Sequence, residues 1–382
     1  MASQTKYDVI VVGAGAMGSA AAWRLAKRGV RVLAIDRFSP PHAHGSSHGS
    51  TRLIRQAYFE HPDYVPLLRR AYDLWAELEH ESNDHPIFER CGLVLCSAVD
   101  DPVAIGTRRS AAMHGISIHE TSPGPASRAL PQFSVPQMFG AIEEPGAGFL
   151  HVAPAVDAQL KLAHRFGAEL LPDTVVTNWS LPKSGGPISV VTNRGEFLCD
   201  RLVLTAGAWM GPLLGTQSPA LKVRRVPLFW FKSPPNMMLG SPNMRCFAFV
   251  TERGFFYGFP GLPDEGLKIA LHLPGDEVSD PLHVDRSVHA ADIEPVQWFI
   301  KKFAPDVDPN PIRSSICMYT MTKDEHFVVD HHPASGRVVF ASACSGHGFK
   351  FAPVIGEMVA AMTLGEGTYR PGEFLRLGSR NL

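Results

Sequence analysis

Residues 7 to 36 read YDVIVVGAGAMGSAAAWRLAKRGVRVLAID. An apolar run, a glycine cluster, an amphipathic stretch of about fifteen residues and a second apolar run ending in an acid predict strand, turn, helix and strand. Gly13, Gly15 and Gly18 form G-x-G-x-x-G directly after VIVV. The first glycine permits the tight turn, the second lets backbone approach a pyrophosphate, and the third lets helix pack on strand, with the helix N-terminus facing the anion. Asp36 closes the unit, where a carboxylate can accept hydrogen bonds from ribose hydroxyls. The combination predicts a Rossmann-type dinucleotide site. It leaves NAD and FAD both open, because the two share the pyrophosphate geometry.

Outward from this unit, segments of nucleotide-binding type alternate with β-rich ones. A helical period runs through DYVPLLRRAYDLWAELEH (63–80), and AVDAQLKLAHRFGAELL (155–171) restores a helix. DRLVLTAGAW (200–209) is a buried strand running into glycine, and RVVFASACSGHGFKFAPVIGEMVAAM (337–362) is strand, polar loop and helix. Residues 87–148 are irregular with short strands, and KVRRVPLFWFK, RCFAFVT, GFFYGFP and LKIALHL are strand-like. The expected fold is α/β: a Rossmann-type domain built from 1–86, 149–221 and 312–382, interleaved with a β-rich substrate domain from 87–148 and 222–311. A chain of 382 residues exceeds what one core usually serves.

Composition narrows the function classes. Thirty-six Lys and Arg balance 37 Asp and Glu without a basic block, which argues against a nucleic-acid partner. Six scattered cysteines read as reduced thiols of a cytoplasmic protein rather than a disulfide framework. No apolar run reaches the length of a membrane span, so no membrane partner is expected. His331 and His332 lack partners at metal-ligand spacing, and Cys91 and Cys96 lack a second pair, so no metal is expected.

Other residues point to anion chemistry. HAHGSSHGSTRLIRQAY (42–58) carries Arg52 and Arg55 three apart. A guanidinium can hold a carboxylate with two parallel hydrogen bonds, while a lysine adds a compact charge. In LKIALHL, strand alternation puts Lys268 and His272 on one face. Cys317 is on its own residues only a lone thiol, a type usually buried as a small hydrophobe.

Five ordered blocks change that reading: KYDVIVVGAGAMGSAAAWRLAKRGV, PPHAHGSSHGSTRLIRQAY, YGFPGLPDEGLKIALH, CMYTMTKDEHFVVD and SGHGFKFAPVIGE. With LVLTAGAW they resemble, over nearly the whole chain, the FAD-dependent amine oxidase family typified by monomeric sarcosine oxidase and N-methyltryptophan oxidase. The resemblance implies FAD attached covalently through Cys317 to the flavin 8α-methyl group, with Gly346 and Gly348 in the cofactor-binding loop. It places the basic residues His48 and Arg52 near the flavin ring, where a cationic neighbourhood would favour the Cys317 thiolate. It assigns Arg55 and Lys350 to the substrate carboxylate, Lys268 to dioxygen activation over the flavin, and Tyr257 and His272 to the substrate pocket. The implied enzyme oxidises a secondary amino acid such as sarcosine to an imine, which hydrolyses to aldehyde and primary amine while O2 becomes H2O2. A monomer is expected. Rival readings are a dehydrogenase passing electrons to another acceptor, an N-methyltryptophan- or pipecolate-type oxidase, a flavin sensor without turnover, and an NAD-dependent dehydrogenase. Ser47 and Ser50 depart from the paired histidines and aspartate common in that loop, so tuning at the flavin side is expected to differ.

Overall fold

The computed structural model describes residues 6–83, 86–182, 185–342, 345–367 and 371–380. The apolar run of the opening stretch is the strand Lys6–Val12, whose Val9, Ile10 and Val11 are completely buried. Burial of consecutive residues is what a parallel strand covered on both faces requires. Parallel strands order themselves as Glu169–Leu171, Val32–Ile35, Lys6–Val12, Gly195–Leu204 and Ser335–Ser342. Val328–His332 adds an antiparallel edge, and Val176–Ser180 with Ile188–Thr192 extends the first half of Gly195–Leu204. The helix Ala16–Ala26 packs against Ala352–Leu364, and Gly356 makes the approach close: a Cβ there would lie 2.5 Å from the Ala20 methyl.

A second sheet of eight strands runs Arg313–Met321, Lys222–Phe231, Gly266–Leu271, Gly254–Leu262, Cys246–Thr251, Leu93–Ser97, Gly140–Glu144 and His119–Thr121. Its neighbours are antiparallel except Cys246–Thr251 beside Leu93–Ser97, where the two chain-distant β segments meet. Aromatic side chains dominate its core, with Phe229, Phe231, Phe247, Phe249, Phe256 and Phe299 fully buried. A small sheet of Thr51–Ile54, Gly148–His151 and Phe88–Glu89 lies apart from both.

The interleaved α/β architecture is thus the observed one, with particular corrections. The β-rich layer keeps the chain to Met321 rather than releasing it at 312, because Arg313–Met321 pairs along its whole length with Lys222–Phe231, Cys317 opposite Val226. Residues 87–148 contain a helix the sequence reading left irregular, Pro102–His114. The Asp101 carboxylate caps it by accepting the Val103 N–H at 2.8 Å, and proline stands in the first turn. Ala290–Phe303 is a further helix within the second β segment, with His289 and Asp292 forming a reciprocal cap. No helix among the described residues is long and apolar enough to cross a membrane.

Candidate active site

The glycine turn is fixed by contact. Gly13 has φ +91° and its Cβ would strike the Thr205 carbonyl at 2.6 Å, while a Cβ on Gly18 would sit 1.7 Å from the Gly13 carbonyl. Gly15 differs, because its nearest foreign atom would be Ser47 Oγ at 3.7 Å. The protein crowds the first and third glycines, whereas the second faces open space. The Asp36 carboxylate accepts the N–H groups of Ala14 at 2.7 Å and Phe38 at 2.9 Å, and His42 Nε2 lies 3.3 Å away. These bonds fold the loop round the turn and leave the carboxylate on the wall of a cavity of about 420 Å³. That cavity runs from Gly13, Gly15 and Asp36 past Thr205 and Trp209 to Arg52, Tyr319, Gly346 and Gly348.

An elongated dinucleotide suits this cavity on two counts besides the turn. Trp209 Nε1 and Thr320 Oγ1 belong to wall residues and have no hydrogen-bond partner among the described residues, which leaves two polar groups for a ligand. Gly346, with φ +80°, closes the far end. A Cβ on it would meet the Tyr319 ring at 2.6 Å and His272 Cε1 at 3.0 Å, so only glycine lets the loop lie against both rings.

Arg52 turns inward from the small sheet. Its guanidinium donates to the carbonyls of Thr51 and Ser46 at 2.9 and 3.0 Å and to Cys317 Sγ at 3.4 Å. Cys317 is buried, with the Arg52 guanidinium beside its sulfur. His48, paired with Arg52 in the sequence reading as a source of charge, is buried close to it. Burial first and the positive Arg52 second pull its imidazole down to about 3, and Nε2 is buried without a partner among the described residues. His48 is therefore neutral, and it does not line the cavity.

A second, smaller cavity of about 70 Å³ adjoins the first at Arg52, Tyr319 and Gly346. Arg55, Lys350, Tyr257, His272, Phe59, Phe255, Glu60 and Cys317 line it. Arg55 lies flat, its guanidinium 4.4 Å from the ring centres of both Tyr58 and Phe59. It donates to the Ala57 carbonyl at 3.0 Å and to both Glu60 oxygens at 2.8 Å through Nη2. At least two of its five N–H groups remain for another acceptor. Although burial opposes it, Arg55, His347 and Lys350 hold the Glu60 carboxyl below its usual range. Lys350 donates to the His347 carbonyl at 2.8 Å, and burial followed by Arg55 lowers its ammonium to about 7. Trp75 Nε1 donates to the Lys350 carbonyl at 2.9 Å, so the helix Tyr64–Ser82 fixes the loop bearing this lysine. With the His347 imidazole lowered to about 3, Arg55 and Lys350 are the cations set against the one Glu60 carboxylate, a setting for a carboxylate ligand.

Tyr319 joins the opposite wall. It hydrogen-bonds Tyr257, and its hydroxyl lies 3.1 Å from His272 Nδ1. Burial raises both phenols and lowers His272 to about 4, leaving three neutral groups in a connected line. The strand ends at Leu271, with His272 just past it, yet Lys268, Ala270 and His272 keep the expected common side. Lys268 stands behind Arg52 and lines neither cavity. Its amine donates to the carbonyls of Gly49 at 2.6 Å and Thr51 at 2.9 Å, and burial followed by Arg52 drives its pKa well below the ordinary value.

The structure thus brings Arg52, Arg55, Lys350, Tyr257, His272, Cys317 and Gly346 together. Sequence reasoning missed Glu60, Tyr319 and Glu144. Glu144 is a buried carboxylate that accepts the N–H groups of Gln56 and Ala57 at 2.6 and 3.0 Å and shapes the chain after Arg55. Tyr319 lies two residues past Cys317 in a strand, and that two-residue period was the available signal. Glu60 and Glu144 lie in stretches with no periodic pattern to read.

The chain as a whole is similar to several known proteins. A family model described as FAD dependent oxidoreductase matches residues 8–362. Monomeric sarcosine oxidase of Bacillus sp. (strain B-0618) is 35% identical over 365 residues, covering 94% of this chain and 93% of that protein. Monomeric sarcosine oxidase of Streptomyces avermitilis is 36% identical over 370 residues, covering 96% and 95%. N-methyl-L-tryptophan oxidase of Salmonella enteritidis is 33% identical over 367 residues, covering 94% and 95%. Among solved structures, the open form of NikD, an unusual amino acid oxidase, shares the fold with a TM-score of 0.85 at 22% identity, covering 97% of each chain.

Proposed function

The chain belongs to the FAD dependent oxidoreductase family, and on that premise we propose that it oxidises the C–N bond of a small N-methyl amino acid of the sarcosine type. One observation carries the reading: the small cavity lined by Arg55 and Lys350 shares Arg52, Tyr319 and Gly346 with the wall of the larger cavity. A molecule anchored by its carboxylate on Arg55 and Lys350 is thereby presented to whatever occupies the larger space.

Gly13, Gly15 and Gly18 with the following helix would hold the pyrophosphate, Asp36 the ribose, and Gly346 and Gly348 the far end; Cys317 is the proposed point of covalent attachment. FAD, when bound, supplies the acceptor for two electrons and a proton equivalent and returns the electrons to O2 as H2O2. The protein's part is positioning and charge. The free N–H groups of Arg55 orient the carboxylate, and Phe59 and Phe255 limit the space beside it. His272 and Tyr257 offer neutral polar atoms, which suits an amine that must be uncharged to react. Arg52 remains a cation where negative charge accumulates. With two donors already spent on Gly49 and Thr51, Lys268 has its third nitrogen direction free, and we assign it to the oxygen step.

The test is anaerobic mixing of the purified holoprotein with sarcosine, N-methyl amino acids of increasing size, pipecolate and proline. Sarcosine should bleach the flavin absorbance and release peroxide once air is admitted. A flavin left oxidised by every secondary amino acid would sink the reading, while bleaching without peroxide would move it to a dehydrogenase with another acceptor.

A further inference from the structure

Outside the two cavities, two thiols of the described residues form a close pair. Cys91 and Cys246 are 155 residues apart in sequence, yet their sulfurs lie 3.6 Å from each other within hydrogen-bond reach. Register produces the encounter. Cys246 opens its strand opposite Leu93 and donates its N–H to the Gly92 carbonyl at 3.1 Å. Gly92, with φ +79°, turns the chain so that the preceding residue lies beside the same strand end. Both residues are free thiols, Cys91 half-buried and Cys246 fully buried.

We propose that Cys91 and Cys246 are a modification site, a dithiol that a hydroperoxide oxidises to a reversible disulfide across the parallel joint of the eight-stranded sheet. The two sulfurs have different parts. Cys91 is the reachable one, and the hydrogen bond from Cys246 lowers its thiol, whereas burial raises Cys246. The Cys91 thiolate attacks one peroxide oxygen: an S–O bond forms, the O–O bond breaks, and the departing oxygen leaves as water or alcohol. Cys246 then attacks the Cys91 sulfur, forming S–S as S–O breaks, and hydroxide takes up the Cys246 proton and leaves as water. Two thiols lose two electrons and two protons, and the peroxide takes both. Cys96 and Cys199 are set apart from this chemistry, since burial pushes both thiols well up, that of Cys199 to about 12. Cys344 lies outside the described residues.

The link would tie Leu93–Ser97 to Cys246–Thr251, the strand that pairs with the one carrying Tyr257. Its natural oxidant is the peroxide of the proposed oxidase, but the site itself stands apart from that reading. The experiment therefore adds hydrogen peroxide to the native holoprotein without substrate, blocks remaining thiols, and maps cysteines by tandem mass spectrometry after proteolysis. We expect a peptide pair joined through Cys91 and Cys246 with loss of two hydrogens, reversed by dithiothreitol. In Cys246→Ser, Cys91 should instead be trapped by dimedone as a sulfenic acid. In the unaltered protein, an oxidised midpoint of thermal unfolding above the reduced one would accompany the bridge. Cys91 and Cys246 both still alkylatable after peroxide, or oxidation falling first on Cys96 or Cys199, would overturn the proposal whatever the enzyme's substrate proves to be.

Discussion

Arg52 and Arg55 stand three residues apart and meet different chemistry, one touching a sulfur and the other a carboxylate. Charge-assisted hydrogen bonds contribute about 1.5 to 3 kcal/mol each, so Arg55→Ala should weaken a carboxylate inhibitor by roughly one to two orders of magnitude while leaving the flavin in place. Arg52→Ala should alter flavin attachment or its reduction potential instead. Spectral titration of both variants checks the division, and equal affinity losses would refute it. Lys268→Met should slow reoxidation of reduced flavin far more than its reduction by substrate, which stopped-flow absorbance separates. If reoxidation is unchanged, the lysine serves only to hold the carbonyls of Gly49 and Thr51. At Cys317, acid precipitation should carry the yellow colour into the pellet for the unaltered protein and into the supernatant for Cys317→Ser. Colour in the supernatant from both would show that the flavin is held without a covalent bond.

At the scale of elements, the glycine turn and its strand and helix were legible because each glycine answers a separate steric demand. Gly18→Ala places a methyl 1.7 Å from a backbone carbonyl, which no rotamer relieves, so the variant should lose flavin binding or fail to accumulate as folded protein. Normal flavin content in that variant would show that the turn can re-form around a methyl group. The helix Pro102–His114 was hidden for a different reason: its apolar stripe is short, and its only strong sign is the Asp101–Pro102 start. The block around Cys317 was read only through the family resemblance, and neither its strand nor its layer was. Pairing partners 91 residues away, such as Val226 for Cys317, leave no trace in local pattern. For the same reason the arginines could be read while the Glu60 that holds one of them could not. Opposite charges five residues apart in irregular chain carry no periodic signal.

Over the whole molecule, buried neutral imidazoles tie stability to pH. His48, His272 and His347 are brought down to about 3, 4 and 3, each chiefly by burial. Each folded value is lower than the ordinary 6.5, so between pH 6.5 and 4 the unfolded chain binds more protons than the native one. Stability is fully present above pH 6.5 and falls below it, by up to about 1.4 kcal/mol per pH unit for each imidazole. Urea midpoints should drop steeply across that window, and a flat profile would mean that these rings are charged in the native state. The interleaving has a further consequence, in the order of synthesis. The strand Lys6–Val12 leaves the ribosome early, but its neighbour Gly195–Leu204 follows far later and Ser335–Ser342 almost at the end. Leu93–Ser97 likewise waits for Cys246–Thr251. Neither sheet can close on a nascent chain, so apolar strands remain exposed until translation is nearly complete. Yield of this protein in a cell should therefore depend on chaperones that shield long unfinished chains.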